Sequence, residues 1–335
     1  MLAAGLPVPP GFAVTTDAFE TLRAHADLRT FVAERLAAVE GEDPTGLRAA
    51  STEIRRHIEA VSLPAEVDRA IRDAYDALSR HCGVDDVPVA VRSSATAEDL
   101  PDASFAGEHD TYLWVRGGEA VTQHVRRCWS SLFTDRAIAY RRHTGHDHEQ
   151  LSMSVGVQKM IEPRAAGVAF TLNPTDGDRS QIAIDAAWGF GEAVVGGEVT
   201  PDNFVVDKVL REIVSRTISP KTTEYRLNGD TVERATVDDV RCRTACLTDD
   251  EIQEVAAMAR RAEQHYGCPQ DVEWAIDRHL PDGENVVLLQ SRPETVWSTT
   301  PRRPIAVAGQ SPLDGVVRTL ISGVHTRGAG PTPTR

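Results

Sequence analysis

The hydrophobic period of the chain changes near residue 87, and that change restricts the fold more than any other feature. Before it, apolar residues recur at helical spacing: Leu28, Phe31, Val32 and Leu36, then Ile54, Ile58 and Val61. After Pro64 the pattern resumes with Val67, Ile71, Ala74, Tyr75 and Leu78. Such recurrence buries one stripe of a helix, so the first part reads as a helical layer. Asp17 and Glu20 suggest a capping-box start for a further helix carrying Phe19 and Leu22. Residues 5–15, rich in proline and glycine, read as an extended lead-in.

From Val87 the period is two. Val87, Val89 and Val91 alternate with Pro88, Ala90 and Arg92, which predicts a short strand ending in a charge. A polar segment over 93–107 follows, then a strand at 111–115 and a long helix with Val121, Val125, Cys128, Trp129, Leu132 and Phe133 inward. From Ser154 strands predominate, at 154–161, 167–172, 181–186, 204–209 and 213–218. One helix interrupts them: Thr248 and Glu251 make a capping box, Ile252, Val255, Ala259 and Ala262 line one face, and Gly267 closes it. Strands at 271–276 and 285–290 flank a turn at 281–284 and read as a hairpin. The expected class is α+β.

Bulk properties narrow the function. At 335 residues the chain is too long for one small domain and suits two subdomains sharing a cleft. No run approaches the eighteen apolar residues of a membrane helix, and the first residues lack the basic start of a signal peptide. Five cysteines, an odd number, favour a reduced, cytoplasmic protein. A net charge of −14 disfavours nucleic acid, whose phosphates require clustered cations. It does not exclude ATP, which a few local cations and a metal can hold against a distant field.

Three segments carry candidate chemistry. Arg92, followed by small hydroxyl residues, can present a guanidinium fork to phosphate oxygens, although alone it reads more readily as a solvated strand end. The loop around Ser104, Ala106 and Gly107 could lie over phosphates or simply turn the chain. In the final hairpin Val272, Trp274 and Ile276 point one way and Glu273 the other, with Gln290 roughly level and Arg292 just beyond. A carboxylate, an amide oxygen and an arginine on adjacent strands suit Mg²⁺ completed by nucleotide phosphates; a solvent-facing polar cluster has the same spacing. Gln158, Lys159, Met160 and Ile161 end a strand whose backbone could read an adenine edge, or which is simply buried. Cys242, Cys246 and Cys268 lack the paired spacing of a zinc site, and His143, His146 and His148 suit a hydrated surface. Residues 188–191 lack the full glycine-rich fingerprint of a dinucleotide loop.

Taken in order, these stretches resemble the N-terminal ATP-binding domain of phosphoenolpyruvate synthase, pyruvate phosphate dikinase and rifampin phosphotransferase. The resemblance is carried by GLPVPPGFAVTT at 5–16, VAVRSSATAEDLPDASFAGEHDT at 89–111, CWSSLFTDRAIAY at 128–140 and SVGVQKMI at 154–161. It continues through AGVAFTLNP at 166–174, residues 188–202 and 270–275, and QSRP at 290–293. It implies a two-lobed, ATP-grasp-like fold: a helical and mixed first lobe with the phosphate-binding loop over 1–153, and an antiparallel-sheet second lobe over 154–297. That second lobe would hold the adenine strand and the Mg²⁺ hairpin, and 298–335 would form a flexible tail.

The resemblance also implies roles. Arg92 would contact phosphates, the loop of Ser104, Ala106 and Gly107 would cover them, and Gln158 to Ile161, including Lys159 and Met160, would hold adenine. Glu273 and Gln290 would hold Mg²⁺, and Arg292 would stabilise the transferring phosphate. In such enzymes the β-phosphoryl group of ATP passes to a histidine on a mobile domain, then to pyruvate or another acceptor. Family members carry a lysine in a Gly-Gly-Lys-Gly-like segment before the first matching stretch, whereas here no lysine precedes Lys159. No Thr-Ser-His-like motif follows Trp297. The expectation is therefore an ATP-dependent, phosphoryl-donating domain or subunit with a histidine-bearing partner. The alternative is a catalytically incomplete nucleotide-binding or regulatory remnant, including one of a rifampin-phosphotransferase-like enzyme.

Overall fold

The computed structural model describes residues 1, 4–39, 43–95, 111–144 and 152–297. It divides into two units, Met1–Glu294 and Thr295–Arg335. The account below concerns the first.

Helices come first, as the spacing requires. After a short strand β1 (Gly11–Val14) lie α1 (Thr16–His25), α2 (Leu28–Ala37), α3 (Pro44–Ala60) and α4 (Ala65–Cys82). Asp43 caps α3 by accepting from the amides of Thr45 and Gly46, and Pro44 takes the first helical position, where no N–H is missed. Gly83, at φ 66°, ends α4 in the left-handed conformation. The expected Asp17–Glu20 capping box is absent. The helix begins at Thr16 with Thr15 at its cap and no side-chain cap bond. Glu20 instead accepts from Arg23 and Arg29, each at 2.7 Å, because two guanidiniums outcompete a backbone amide for its carboxylate.

Strands β2 (Val89–Ala95), β3 (Thr111–Val115) and β4 (Met153–Lys159) join β1 in an antiparallel sheet of order β1-β4-β2-β3. Two helices, α5 (Gly118–Ser131) and α6 (Asp135–Thr144), lie between β3 and β4 in the chain. The core on this sheet gathers Val89, Val91, Val155 and Val157 with Phe19, Ile54, Tyr75 and Trp129. Burial of each large apolar side chain contributes about 1.5–3 kcal/mol. The strand expected to stop at Arg92 runs on to Ala95, because β4 continues to offer partners as far as Met153. The lead-in also holds a true strand, paired with β4. Sheet membership thus places β4 with the first core rather than beyond a division at 153.

The second sheet contains β5 (Pro163–Phe170), β6 (Gln181–Trp188), β7 (Asp202–Asp207) and β8 (Ile213–Thr217), with β11 (Gln270–Asp277) and β12 (Val286–Pro293). Its order is β12-β11-β5-β6-β7-β8, all antiparallel. Helix α9 (Asp249–Tyr266) covers one face, packing Ile252, Val255 and Ala259 on Ile184, Phe204 and Trp274. Its Thr248–Glu251 capping box and its closing Gly267, at φ 71°, form as expected. The sequence reading omitted the hairpin of β9 (Thr223–Asn228) and β10 (Thr231–Thr236), and the single turns α7 (Glu192–Val195) and α8 (Asp239–Cys242). At the core-side edge of β7, Lys221 and Asp202 are fully buried and joined at 2.5 Å. Asp202 also accepts from the amides of Ser219 and Cys246, which ties the link after β8 to the loop before α9. No described helix is long and apolar enough to cross a membrane.

Candidate functional site

Alternation decides what each sheet shows on the face away from its core. In the first sheet Val89, Val91, Val155 and Val157 are core residues, so Ala90, Arg92, Gly156 and Gln158 face the other way. In β11 Val272, Trp274 and Ile276 enter the core beneath α9, which turns Asp271 and Glu273 outward. These two outward faces meet at Arg92. Its Nη1 lies 3.4 Å from Glu273 Oε2, and its Nε is buried without an acceptor among the described residues. The pair remains reachable, with side-chain exposures of 24% and 33%.

The final hairpin supplies the rest. Glu273 is directly opposite Gln290, and Asp271 opposite Arg292, with a bulge just after Glu273. With its amide oxygen toward Arg292, Gln290 accepts from Nε at 2.6 Å and Nη2 at 2.8 Å. The opposite amide orientation offers only a 3.5 Å approach from Arg92, so the bidentate arrangement is the better one.

Gly156 lies directly opposite Arg92, and a Cβ there would meet nothing nearer than the Arg92 carbonyl at 3.8 Å. The site thus combines an open floor, a guanidinium with a spare donor, and a carboxylate beside an amide. Among the described residues no three His, Cys, Asp or Glu side chains converge to hold a metal. A Mg²⁺ ion here would take one or two protein oxygens and complete its shell from phosphates and water, which the Glu273 carboxylate fits; Gln290 would join by turning its oxygen from Arg292.

The expected adenine segment is placed with more detail than the sequence allowed. Gln158 shares the face of Arg92, and its Nε2 donates to the Pro9 carbonyl at 3.4 Å. Lys159, one residue on, falls on the opposite side of the strand. The amides of Lys159 and Met160 already donate to Pro10 and Pro88, both at 2.8 Å. No acceptor is found for the Ile161 amide among the described residues. The Met160 and Ile161 side chains are buried in separate apolar clusters. Ser104, Ala106 and Gly107 lie outside the described residues, as do His146 and His148.

Several neighbours escaped the sequence reading. Asp271 was accessible to it, because a residue two before Glu273 in a strand shares its face. Its carboxyl is pushed up to about 6, first by burial and then by Glu294, with Arg292 pulling the other way. Glu192, at the start of α7, has its carboxyl raised by partial burial, against the pull of Arg92. One cross-strand row runs over the whole second sheet: Gln290, Glu273, Val168, Asp185, Asn203 and Thr217. Within it Asn203 donates to Asp185 at 2.8 Å, so a further carboxylate shares the face of Glu273. Only long-range register reveals that alignment. An open groove of about 600 Å³ along α3, lined by Ser51, Thr52, Arg55, Arg56, Glu59 and Ala60, holds none of these residues.

Comparison with known proteins identifies the family of the chain. Residues 1–311 match the family model described as pyruvate phosphate dikinase, AMP/ATP-binding domain. A probable phosphoenolpyruvate synthase of Methanocaldococcus jannaschii is 44% identical over 297 residues, which cover 88% of this chain and 24% of that protein. The phosphoenolpyruvate synthase of Aeropyrum pernix is 41% identical over 325 residues, 89% of this chain and 40% of that protein. A rifampicin phosphotransferase of a Streptomyces species is 44% identical over 300 residues, 89% of this chain and 33% of that protein. The chain therefore spans roughly a quarter to two-fifths of the length of these relatives.

Proposed function

The chain belongs to the family of pyruvate phosphate dikinase AMP/ATP-binding domains, and from that premise we propose that it binds Mg²⁺–ATP between its two sheets. In this reading the sheets are the two lobes of an ATP-grasp-like fold. The bound nucleotide gives up phosphate to a histidine on another domain or partner chain. The observation that carries the reading is the meeting of Arg92 with Glu273 across two separately cored sheets, with Gln290 and Arg292 paired beside them.

Each residue has a task that follows from its position. Arg92, beside an open floor at Gly156, binds and orients phosphate oxygens through its guanidinium. Arg292, held by Gln290, places a fixed positive charge where negative charge gathers during transfer. Glu273 and Gln290 would hold Mg²⁺, which supplies charge neutralisation across adjacent phosphates. The Ile161 amide, which has no acceptor among the described residues, would donate to an adenine ring nitrogen, and the buried Met160 and Ile161 side chains keep that amide in place. The final acceptor in the relatives is named by their activities, phosphoenolpyruvate synthesis or rifampicin phosphorylation. For this chain, transfer to a histidine-bearing partner is the part of the reaction its residues can support.

The test is thermal unfolding of the purified chain with Mg²⁺ alone, ATP alone and both. A ligand of the folded state at a hundred times its dissociation constant adds about 2.7 kcal/mol of stability. The expected result is a rise in melting temperature that requires both. No shift at millimolar Mg²⁺–ATP would sink the reading.

A further inference from the structure

One apolar cluster joins the four-stranded sheet to the β9–β10 hairpin and to the loop after β6. It joins Ala90, Met160 and Phe190 with Leu113 and Trp114 of β3 and with Tyr225 of the β9–β10 hairpin. Trp114 reaches it through a bulge. Val89 lies opposite Val115 and Val91 opposite Tyr112, so Leu113 and Trp114 together face the single residue Ala90. Strict alternation would instead turn Trp114 to the side of Tyr112, which packs on the first core.

The backbone accommodates the bulge with φ 60° at Trp114, a conformation that glycine takes freely and a bulky side chain rarely does. The indole Nε1 is buried without an acceptor among the described residues. The ring meets Phe190 edge-on, at 6.4 Å and 84°. A tryptophan in strained backbone with an unpaired donor persists only where its surroundings hold it there. The cluster it packs against includes Met160.

Residues 160–162 are the only link between β4 and β5. Met160 is anchored in the Trp114 cluster, and Ile161 in another with Ala166, Ala275 and Val287. Between these anchors lies the Ile161 amide, without an acceptor among the described residues. We infer that Trp114 is a positioning residue for the adenine end of the nucleotide site, fixing the Met160–Ile161 link so that its free amide is aimed before ligand arrives. The inference rests on the nucleotide-binding reading above. Its physical content is preorganisation: a link that is already oriented loses less freedom on binding.

The experiment compares wild type with Trp114→Asn, a residue that tolerates the left-handed backbone but removes the aromatic clamp. Calorimetry measures Mg²⁺–ATP and Mg²⁺–GTP binding for each. The expected result is an ATP affinity about tenfold weaker in W114N, a GTP affinity within twofold of wild type, and recovery of ATP affinity in Trp114→Phe. Equal losses for both nucleotides would mark a general structural effect and overturn the inference, as would unchanged ATP affinity. If melting shows W114N to be unfolded, Phe190→Leu replaces it, with the same selective loss expected and the same outcomes decisive. Absence of ATP binding in wild type removes the nucleotide reading, and this inference with it; ATP binding that W114N leaves unchanged removes the inference alone.

Discussion

The two sheets face one another with contrasting surfaces. The four-stranded sheet presents Gly11, Ala13, Ala90 and Gly156, a flat floor broken by Arg92 and Gln158. The six-stranded sheet presents Asp271, Glu273, Gln290, Arg292, Asp185 and Asn203, a surface crowded with oxygens. Each has its own core on the far side. One sheet offers room and a cation, and the other offers carboxylates and a tethered arginine. In the proposed reading neither surface would hold a metal-bound polyphosphate by itself, and binding chemistry and folding energy would sit on opposite faces of the same strands.

That separation can be attacked by mutating the two faces of the six-stranded sheet. Asp202→Ala strikes the core side, leaving the Lys221 ammonium buried without its carboxylate. Loss of one member of such a pair costs about 3–5 kcal/mol, to be read by denaturant unfolding. Two glycines then contrast the sheets directly. A Cβ at Gly167 would lie 1.8 Å from the Asp185 carbonyl, so Gly167→Ala should destabilise by about 2–4 kcal/mol. A Cβ at Gly156 meets open space, so Gly156→Val should keep the melting temperature of the free chain and lose most Mg²⁺–ATP affinity.

Glu273→Ala is the matching change on the outward face. It should move unliganded stability by no more than about 0.5 kcal/mol while abolishing the Mg²⁺-dependent thermal shift. Equal Mg²⁺–ATP affinity in wild type and mutant would show that the carboxylate is not part of the site. The smallest effect concerns Cys246, whose thiol is pushed up by burial and by the neighbouring Asp202 carboxylate. Native-state alkylation should spare it and modify the half-exposed Cys242, with Cys246 reacting only on unfolding. Mass spectrometry of the labelled peptides checks this.

Much of the fold was legible because local pattern and final environment agree. Ile54 and Ile58, or Ile252 and Val255, recur at helical spacing and are all fully buried. The pairing of Glu273 with Gln290 was readable because a hairpin encodes its register in its own turn. Where evidence was non-local, the sequence was silent. Nothing near Gly11 announces its pairing with Gln158, and nothing near Asp185 announces that it shares a row with Glu273. The β9–β10 hairpin was missed because only Tyr225, Leu227 and Val232 supply its apolar side, too few to stand out among charged and polar neighbours. Asp17 and Glu20 had a capping motif's spacing, but the sequence could not show two arginines claiming the carboxylate.

The position of β4 between β1 and β2 has a consequence for how the molecule assembles. Both neighbours precede it in the chain, and two helices intervene before it is made. During synthesis on the ribosome, β1 and β2 therefore emerge with unpaired edges facing a gap that only β4 fills. Closing so long a loop is slow and leaves those edges exposed to wrong partners meanwhile. Because β4 runs directly into Met160 and Ile161, the step that completes the first core also delivers the link to the second. A nascent chain arrested before Lys159 should be protease-sensitive throughout its helical region, and resistance should appear once that strand has cleared the exit tunnel.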